Sequence, residues 1–394
     1  MSANTKFERL LDWVRENGGF IHSSIYLDDQ DPDNRVIRVK CPHQFNTELI
    51  KIPSKCCLGS DKAVSEEKSA NLINTCVHLI VQLAQGEKSF WAPFLEMFPT
   101  ADNLSHLPLY KHTRHELADL QQVSPIFAGQ LGQYFRETDT VLAKLKERDD
   151  IPKEFKEYHC ALYAVAIYHS RAWDSKGFIP VIDLIQHENN IGLSNNVVLG
   201  QEHNSFVTRT FLKKDEELTW FYSINNNLVL YANYGIPDVL AKVFIPASLI
   251  FDLEADTTVS RYQRDCLEAN KVAIQKELKI IYTDDGIHSD ALVVARILQL
   301  DERDLGYIRA DNDGELKPLV FKDRAIVSAR NETAMLRALM KQLRDYREQM
   351  ESSRENPKYP EITGFVEKNR AVVNTCIEQL EDHWRQVLYG NCKH

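Results

Sequence analysis

Basic charge is scarce in this chain: 57 Asp and Glu outnumber 47 Lys and Arg, for a formal net charge of −10. With a pI near 5.8, the balance argues against nonspecific nucleic-acid binding, which needs a basic footprint. Long apolar runs are missing too, so no stretch is long enough to span a bilayer as a helix. The start, "MSANTKFERLLDWVRENGG", runs straight into an amphipathic pattern and lacks the apolar core of a signal peptide. Eight cysteines contain no C-x-x-C pair. That pattern suits reduced thiols in a cytosolic-type compartment and argues against structural zinc. Repeats and low-complexity tracts are absent as well.

What is present fits a packed globular protein: 43% hydrophobic and 26% charged residues over 394 positions, enough for two or three domains. Phe7, Leu10, Leu11 and Val14 recur at helical spacing, and Gly18-Gly19 stop that helix. Short β-type runs follow in "FIHSSIYL", "RVIRVK" and "ELIKIP". Residues 59–170 read as mainly helical, with Leu72, Ile73, Cys76, Leu79, Ile80 and Leu83 on one face and a compact aromatic stretch "SFWAPFLEMFP". Strands are expected again in "GFIPVIDLI", "NNVVLG", "SFVTRTFL" and "EELTWFYS". From about residue 240 the chain reads as helical to its end. Met335, Leu336, Leu339, Met340, Leu343 and Tyr346 form one apolar stripe, and Val373, Cys376, Ile377, Leu380 and Trp384 form another. Both read as bundle core.

The stretch "VIDLIQHENN" (Val181 to Asn190) places an acid inside an apolar run and closes it with an amide, an imidazole and a second acid. His187-Glu188 could open an H-E-x-x-H zinc helix, but Ile191 stands where the second histidine belongs. No metal is expected.

Six pieces in order give this stretch a context. "LLDWVRENGGFIHSSI", "ELIKIPSKCCL", "SFWAPFLEMFP", "SRAWDSKGFIPVIDLIQHENN", "TRTFLKKDEELTWFYS" and "NLVLYANYGI" together resemble the SET-domain methyltransferases related to the Rubisco large-subunit lysine methyltransferase. The resemblance implies an α+β fold. A SET domain over residues 1–240, with a helical insert at about 59–160, would precede an all-α substrate-binding domain over 241–394. It also implies S-adenosylmethionine as cofactor, a protein substrate docked by the C-terminal domain, and no nucleic-acid or membrane partner. By position, Asn34, Arg35 and Val36 would meet the cofactor, as would Arg171, Asp183, Gln186, His187, Tyr234 and Gly235. Arg171 would face the cofactor's carboxylate, where a guanidinium fork suits the geometry. Tyr222 matches the tyrosine at the methyl-transfer point, and Trp173, Ile182 and Tyr234 would line the substrate channel. Phe221 reads as core.

Three departures fall on the cofactor and catalytic side. Val36 stands in a motif where the family carries glycine, Gln186 replaces asparagine and Ser223 replaces glycine. A valine there cannot take positive φ without strain. The expected activity is methylation of a lysine on a non-histone protein in the cytoplasm, the nucleus not being excluded. Two alternatives stand beside it. One is a protein-histidine methyltransferase, although the family's histidine-modifying member has asparagine where Trp173 stands and tryptophan where Ile182 stands. The other is a SET-fold binding or assembly module that transfers nothing.

Overall fold

The computed structural model describes residues 2–30, 35–59, 68–173, 176–188, 196–222, 227–235, 244–250, 257–270, 277–283, 286–287, 289–320, 327–351 and 356–389. Contacts divide the chain into two units, and the first comprises Met1–Leu117, Ala128–Ser223 and Leu230–Ile236. Helix α1 (Ala3–Glu16) is capped by Ser2, whose hydroxyl accepts the Thr5 N–H, and it buries Phe7, Leu10, Leu11, Trp13 and Val14. It ends at Gly18, whose φ of 85° only glycine adopts without cost.

Four short strands follow: β1 (Phe20–Ile21), β2 (Ile25–Asp28), β3 (Val36–Val39) and β4 (Glu48–Pro53). The insert is helical, as expected, with α2 (Lys68–Gln85), α3 (Ala92–Leu95), α4 (Pro108–Lys111), α5 (Leu117–Val123), α6 (Pro125–Lys146) and α7 (Tyr158–Arg171). The aromatic stretch folds tightly around α3, where the Trp91 indole donates to the Cys56 carbonyl at 3.0 Å and Phe94 meets Phe98 edge-on. After the insert come β5 (Gln186–His187), β6 (Val197–Leu199), β7 (His203–Val207), β8 (Thr219–Trp220) and α8 (Asn227–Tyr234). Antiparallel pairing orders one sheet β1-β4-β7-β6, and β2 pairs with β3. The parallel pair β5-β8, with Gln186 opposite Thr219 and His187 opposite Trp220, is the element that matters most for the site.

One expected strand does not form. "GFIPVIDLI" is broken at Pro180, which has no N–H for a ladder. The Ile182 N–H closes back on the Pro180 carbonyl at 2.8 Å, holding Val181 at φ 67°, ψ −47°. This is a γ-type turn, and a buried β-branched residue there is strained by about 1–3 kcal/mol. A 3₁₀ turn over Ile182–Leu184 then delivers the chain to β5.

The second unit comprises Ala118–Phe127, Ile224–Val229 and Pro237–His394. Helices α9 (Thr258–Ala269), α10 (Ser289–Leu298), α11 (Glu302–Asp311), α12 (Ala329–Glu351) and α13 (Pro360–Leu388) build it. Both apolar stripes are buried as expected, apart from half-exposed Trp384, under which Arg337 stacks at 5.5 Å. The expectation of an all-α domain over 241–394 needs one correction. Strands β9 (Phe244–Ile250), β10 (Glu277–Thr283) and β11 (Gly286–Ile287) form a three-stranded antiparallel sheet. Their β-branched residues lie in short runs between polar breaks, which compete poorly with the strong helical periodicity on either side.

Candidate functional site

The first unit holds a cavity of about 580 Å³, a size that suits a cofactor or small ligand. Five parts of the chain wall it. Leu27 and Arg35 come from the β2 and β3 region, and Ser170 and Arg171 from the end of α7. Asp183, Leu184 and Gln186 come from the turn into β5, while Tyr222 and Tyr234 follow β8 and close α8. The insert supplies the rest: Met97, Pro99 and Asp102 to Leu107.

The parallel β5-β8 pair sets the geometry around Tyr222. The Glu188 N–H donates to Trp220 O at 3.0 Å, locking the two strands together. The Tyr222 N–H then donates to His187 Nδ1 at 3.2 Å, and the Tyr222 hydroxyl donates to the Ile185 carbonyl at 2.7 Å. Burial first, and then the neighbouring Tyr234, push the Tyr222 pKa well above the usual phenol range, so the hydroxyl keeps its proton. Rings surround it: His187 at 5.1 Å, Trp220 at 5.0 Å and Tyr234 at 4.9 Å between centroids. Trp173 stacks on Trp220 at 4.3 Å and 17°.

Arg171 and Asp183 make an asymmetric pair. One guanidinium nitrogen of Arg171 reaches the main-chain oxygen of Asp183 at 3.3 Å. The Asp183 carboxyl oxygens are both out of solvent and have no hydrogen-bond partner among the described residues, although the residue as a whole is only half-buried. Burial pushes this carboxyl up to about 7, against the pull of Arg171. Gln186 makes a long contact from Nε2 to the Arg35 carbonyl at 3.5 Å.

Of the residues singled out in the sequence, Arg35, Arg171, Asp183, Gln186, Tyr222 and Tyr234 share the cavity wall. Val36, Trp173, Ile182, His187 and Gly235 are not on it. Val36 sits in β3 opposite Asp28, 3% exposed and with ordinary strand backbone, so no positive φ is demanded of it. Ile182 is fully buried under the turn, and Phe221 is core, as expected. Asn34 and Ser223 lie outside the described residues. Gly235 has φ 65° and no room for a side chain, because a Cβ would stand 2.9 Å from the His106 carbonyl oxygen. It therefore docks the insert loop against the end of α8.

Sequence reasoning missed that loop. Asn103, Ser105 and His106 read only as polar turn residues. Nothing in their spacing links them to motifs about 80 residues downstream, on the far side of α5 to α7. Elsewhere the thiols of Cys56, Cys57 and Cys76, pushed up by burial, are poor nucleophile candidates. Cys57 is pushed up to about 12 by burial and by Cys56, and each described cysteine is unpaired.

Residues 254–379 match the family model described as Rubisco LSMT substrate-binding. No curated protein matches the chain significantly. Among solved structures, the SET domain of LSMT bound to lysine and AdoHcy matches with a TM-score of 0.54 at 16% identity, over 98% of this chain and 93% of that one. Rubisco LSMT bound to sinefungin and monomethyllysine matches with the same values. Rubisco LSMT bound to AdoMet matches at 0.51 and 16% identity, again over 98% and 93%. At such identity the likeness carries the fold. The resemblance read from the sequence therefore holds at that level: this chain has the α+β fold of the Rubisco LSMT structures, with a C-terminal region of the Rubisco LSMT substrate-binding type.

Proposed function

We propose that this chain is an S-adenosylmethionine-dependent protein-lysine N-methyltransferase acting on a non-histone protein, working in the cytoplasm. The observation that carries the reading is the Tyr222 hydroxyl, fixed on the Ile185 carbonyl at 2.7 Å and walled by aromatic rings, in a cavity that also gathers Arg35, Arg171, Asp183, Gln186 and Tyr234. The donor set fits the cofactor. Arg171 has the fork for an amino-acid carboxylate, and Gln186 has an amide whose present contact is long and easily exchanged. Arg35 would flank it from the cavity wall, with Asn34 and Val36 its neighbours in sequence, and Asp183 and His187 would act through the segment they hold in place. Bound there, the cofactor supplies a methyl group on a cationic sulfur.

The chain's own residues do the rest. A lysine nitrogen attacks only as the neutral amine, although its free pKa is about 10.4. Trp173, Tyr222 and Tyr234 offer an aromatic path that excludes water and disfavours the ammonium form. Ile182 supports that path from behind the strained turn. The protonated Tyr222 hydroxyl and nearby carbonyls orient the reacting carbon through weak C–H···O contacts. Tryptophan rather than asparagine at 173, and isoleucine rather than tryptophan at 182, remove the two groups that help the family's histidine-modifying member accommodate an imidazole. Lysine is therefore favoured over histidine. The match over residues 254–379 supports docking of a protein substrate by the second unit.

Calorimetric titration with S-adenosylmethionine, with S-adenosylhomocysteine in parallel, tests the reading. Saturable binding of both is expected. A folded sample that binds neither sinks it, and selects instead the non-catalytic module suggested by the departures at Val36, Gln186 and Ser223.

A further inference from the structure

The insert side of the cavity carries a base that the reading above does not use. His106 lines the same wall as Arg171, Asp183 and Tyr222. Its Nδ1 lies 2.8 Å from the main-chain oxygen of Asn103. A carbonyl oxygen can only accept, so Nδ1 carries the proton and, in the neutral ring, Nε2 keeps its lone pair. The Cδ2 edge beside Nε2 abuts Gly235, where a Cβ would stand 2.8 Å away. Gly235 directly follows Tyr234, whose ring is 4.9 Å from that of Tyr222. A base of fixed tautomer thus stands one residue from the aromatic wall. The side chain is also exposed, so a proton taken there can leave to solvent.

The other titratable groups on this wall suit the task less well. The Tyr222 hydroxyl donates to the Ile185 carbonyl, the Asp183 carboxyl oxygens are out of solvent, and the guanidinium groups of Arg35 and Arg171 offer donors only. Asp102 is a carboxylate, an intrinsically weaker base than an imidazole near neutral pH.

We propose that His106 is the general base of the transfer, taking a proton from a cationic nitrogen nucleophile through Nε2. This rests on the methyltransferase reading. The ammonium gives one proton to Nε2, leaving a neutral amine and an imidazolium whose Nδ1–H still points at Asn103. The amine lone pair forms the new carbon–nitrogen bond as the carbon–sulfur bond breaks, and that electron pair stays on sulfur as a neutral thioether. The methylated product leaves as a cation, and the imidazolium returns its proton to solvent.

Two measurements test this. The first is long-range proton–nitrogen NMR of protein labelled with ¹⁵N-histidine, with the His106 signals identified by their loss in His106→Gln. The ring is expected in the Nδ1–H tautomer above its pKa, and a dominant Nε2–H tautomer overturns the proposal. The second is the pH profile of methylation of a soluble lysate by tritiated S-adenosylmethionine. The wild-type rate should rise with pH at the pKa read by NMR. In His106→Ala it should fall about 100-fold or more and recover with added imidazole. An unaltered profile, or no recovery by imidazole in a variant of wild-type thermal stability, removes His106 from the chemistry. Absence of cofactor binding or transfer in the wild type is a different failure: it overturns the methyltransferase reading, and the base falls with it.

Discussion

Tyr222 and Asp183 occupy one wall yet make opposite demands on it. The Tyr222 hydroxyl is satisfied by Ile185, so Tyr222→Phe leaves a carbonyl short of one donor and little else changed. Turnover is expected to fall about 100-fold or more with cofactor affinity preserved, as calorimetry and a tritium-transfer assay on the same sample would show. Full turnover in that variant removes Tyr222 from the chemistry. Asp183 is unsatisfied. Folded, its carboxyl keeps a proton to about pH 7; unfolded, it releases the proton near about 3.9. Between those values the folded state binds more protons, so stability falls as pH rises. Asp183→Asn should therefore stabilise the protein at pH 8, on the order of 1–3 kcal/mol, and hardly at all at pH 4, as urea titrations at the two pH values would read. Tyr222, Arg171, Asp183 and Gln186 were legible because each stands in an ordered motif. Val181 was not, since a β-branched run reads as strand until the proline before it is weighed with its turn.

At the scale of elements, buried polar contacts fix what apolar stripes leave loose. Arg296 on α10 meets Glu332 on α12 through two bonds of 2.6 and 2.7 Å, and His383 on α13 adds a third contact at 2.7 Å. Glu332 is fully buried and Arg296 nearly so. Burial pushes the Glu332 carboxyl up, but the bonds from Arg296 and His383 outweigh it and hold the pKa below its ordinary 4.5. This contribution is complete above about pH 4.5 and is lost as pH falls through the lowered value. Glu332→Gln should cost about 3–5 kcal/mol at neutral pH, because it strands a buried guanidinium, and it should flatten the acid limb of a urea-stability curve. An unchanged acid limb would place the lability elsewhere. The stripes on α12 and α13 were readable from the 3.6-residue period, but the lock was not, because its three members lie 36 and 51 residues apart. Gly235 gives the matching test for the insert. Gly235→Ala must push the His106 carbonyl away. Cofactor affinity and melting temperature should both drop, since the added methyl displaces the loop on the cavity wall and is itself strained at φ 65°.

For the molecule as a whole, the candidate cavity and the acid-sensitive lock belong to different units. The cavity wall lies within residues 27–234, all of it in the first unit, and the lock lies on α10, α12 and α13 of the second. The second unit also has a core of its own, with Tyr262, Cys266, Leu267, Val294, Ile297, Leu300 and Leu305 at most 3% exposed. A unit with its own core can unfold as its own transition. The two transitions then carry separate labels in a scanning calorimeter. S-adenosylmethionine at a hundredfold excess over its dissociation constant adds about 2.7 kcal/mol to whatever unit binds it. For a unit of this size that moves the midpoint by about 5–10 °C. Only the first unit's transition should move with cofactor, and only the second's should fall when the pH is taken toward 4. In Glu332→Gln the second transition alone should drop. A single transition that shifts with both cofactor and acid would mean the two units unfold as one cooperative body.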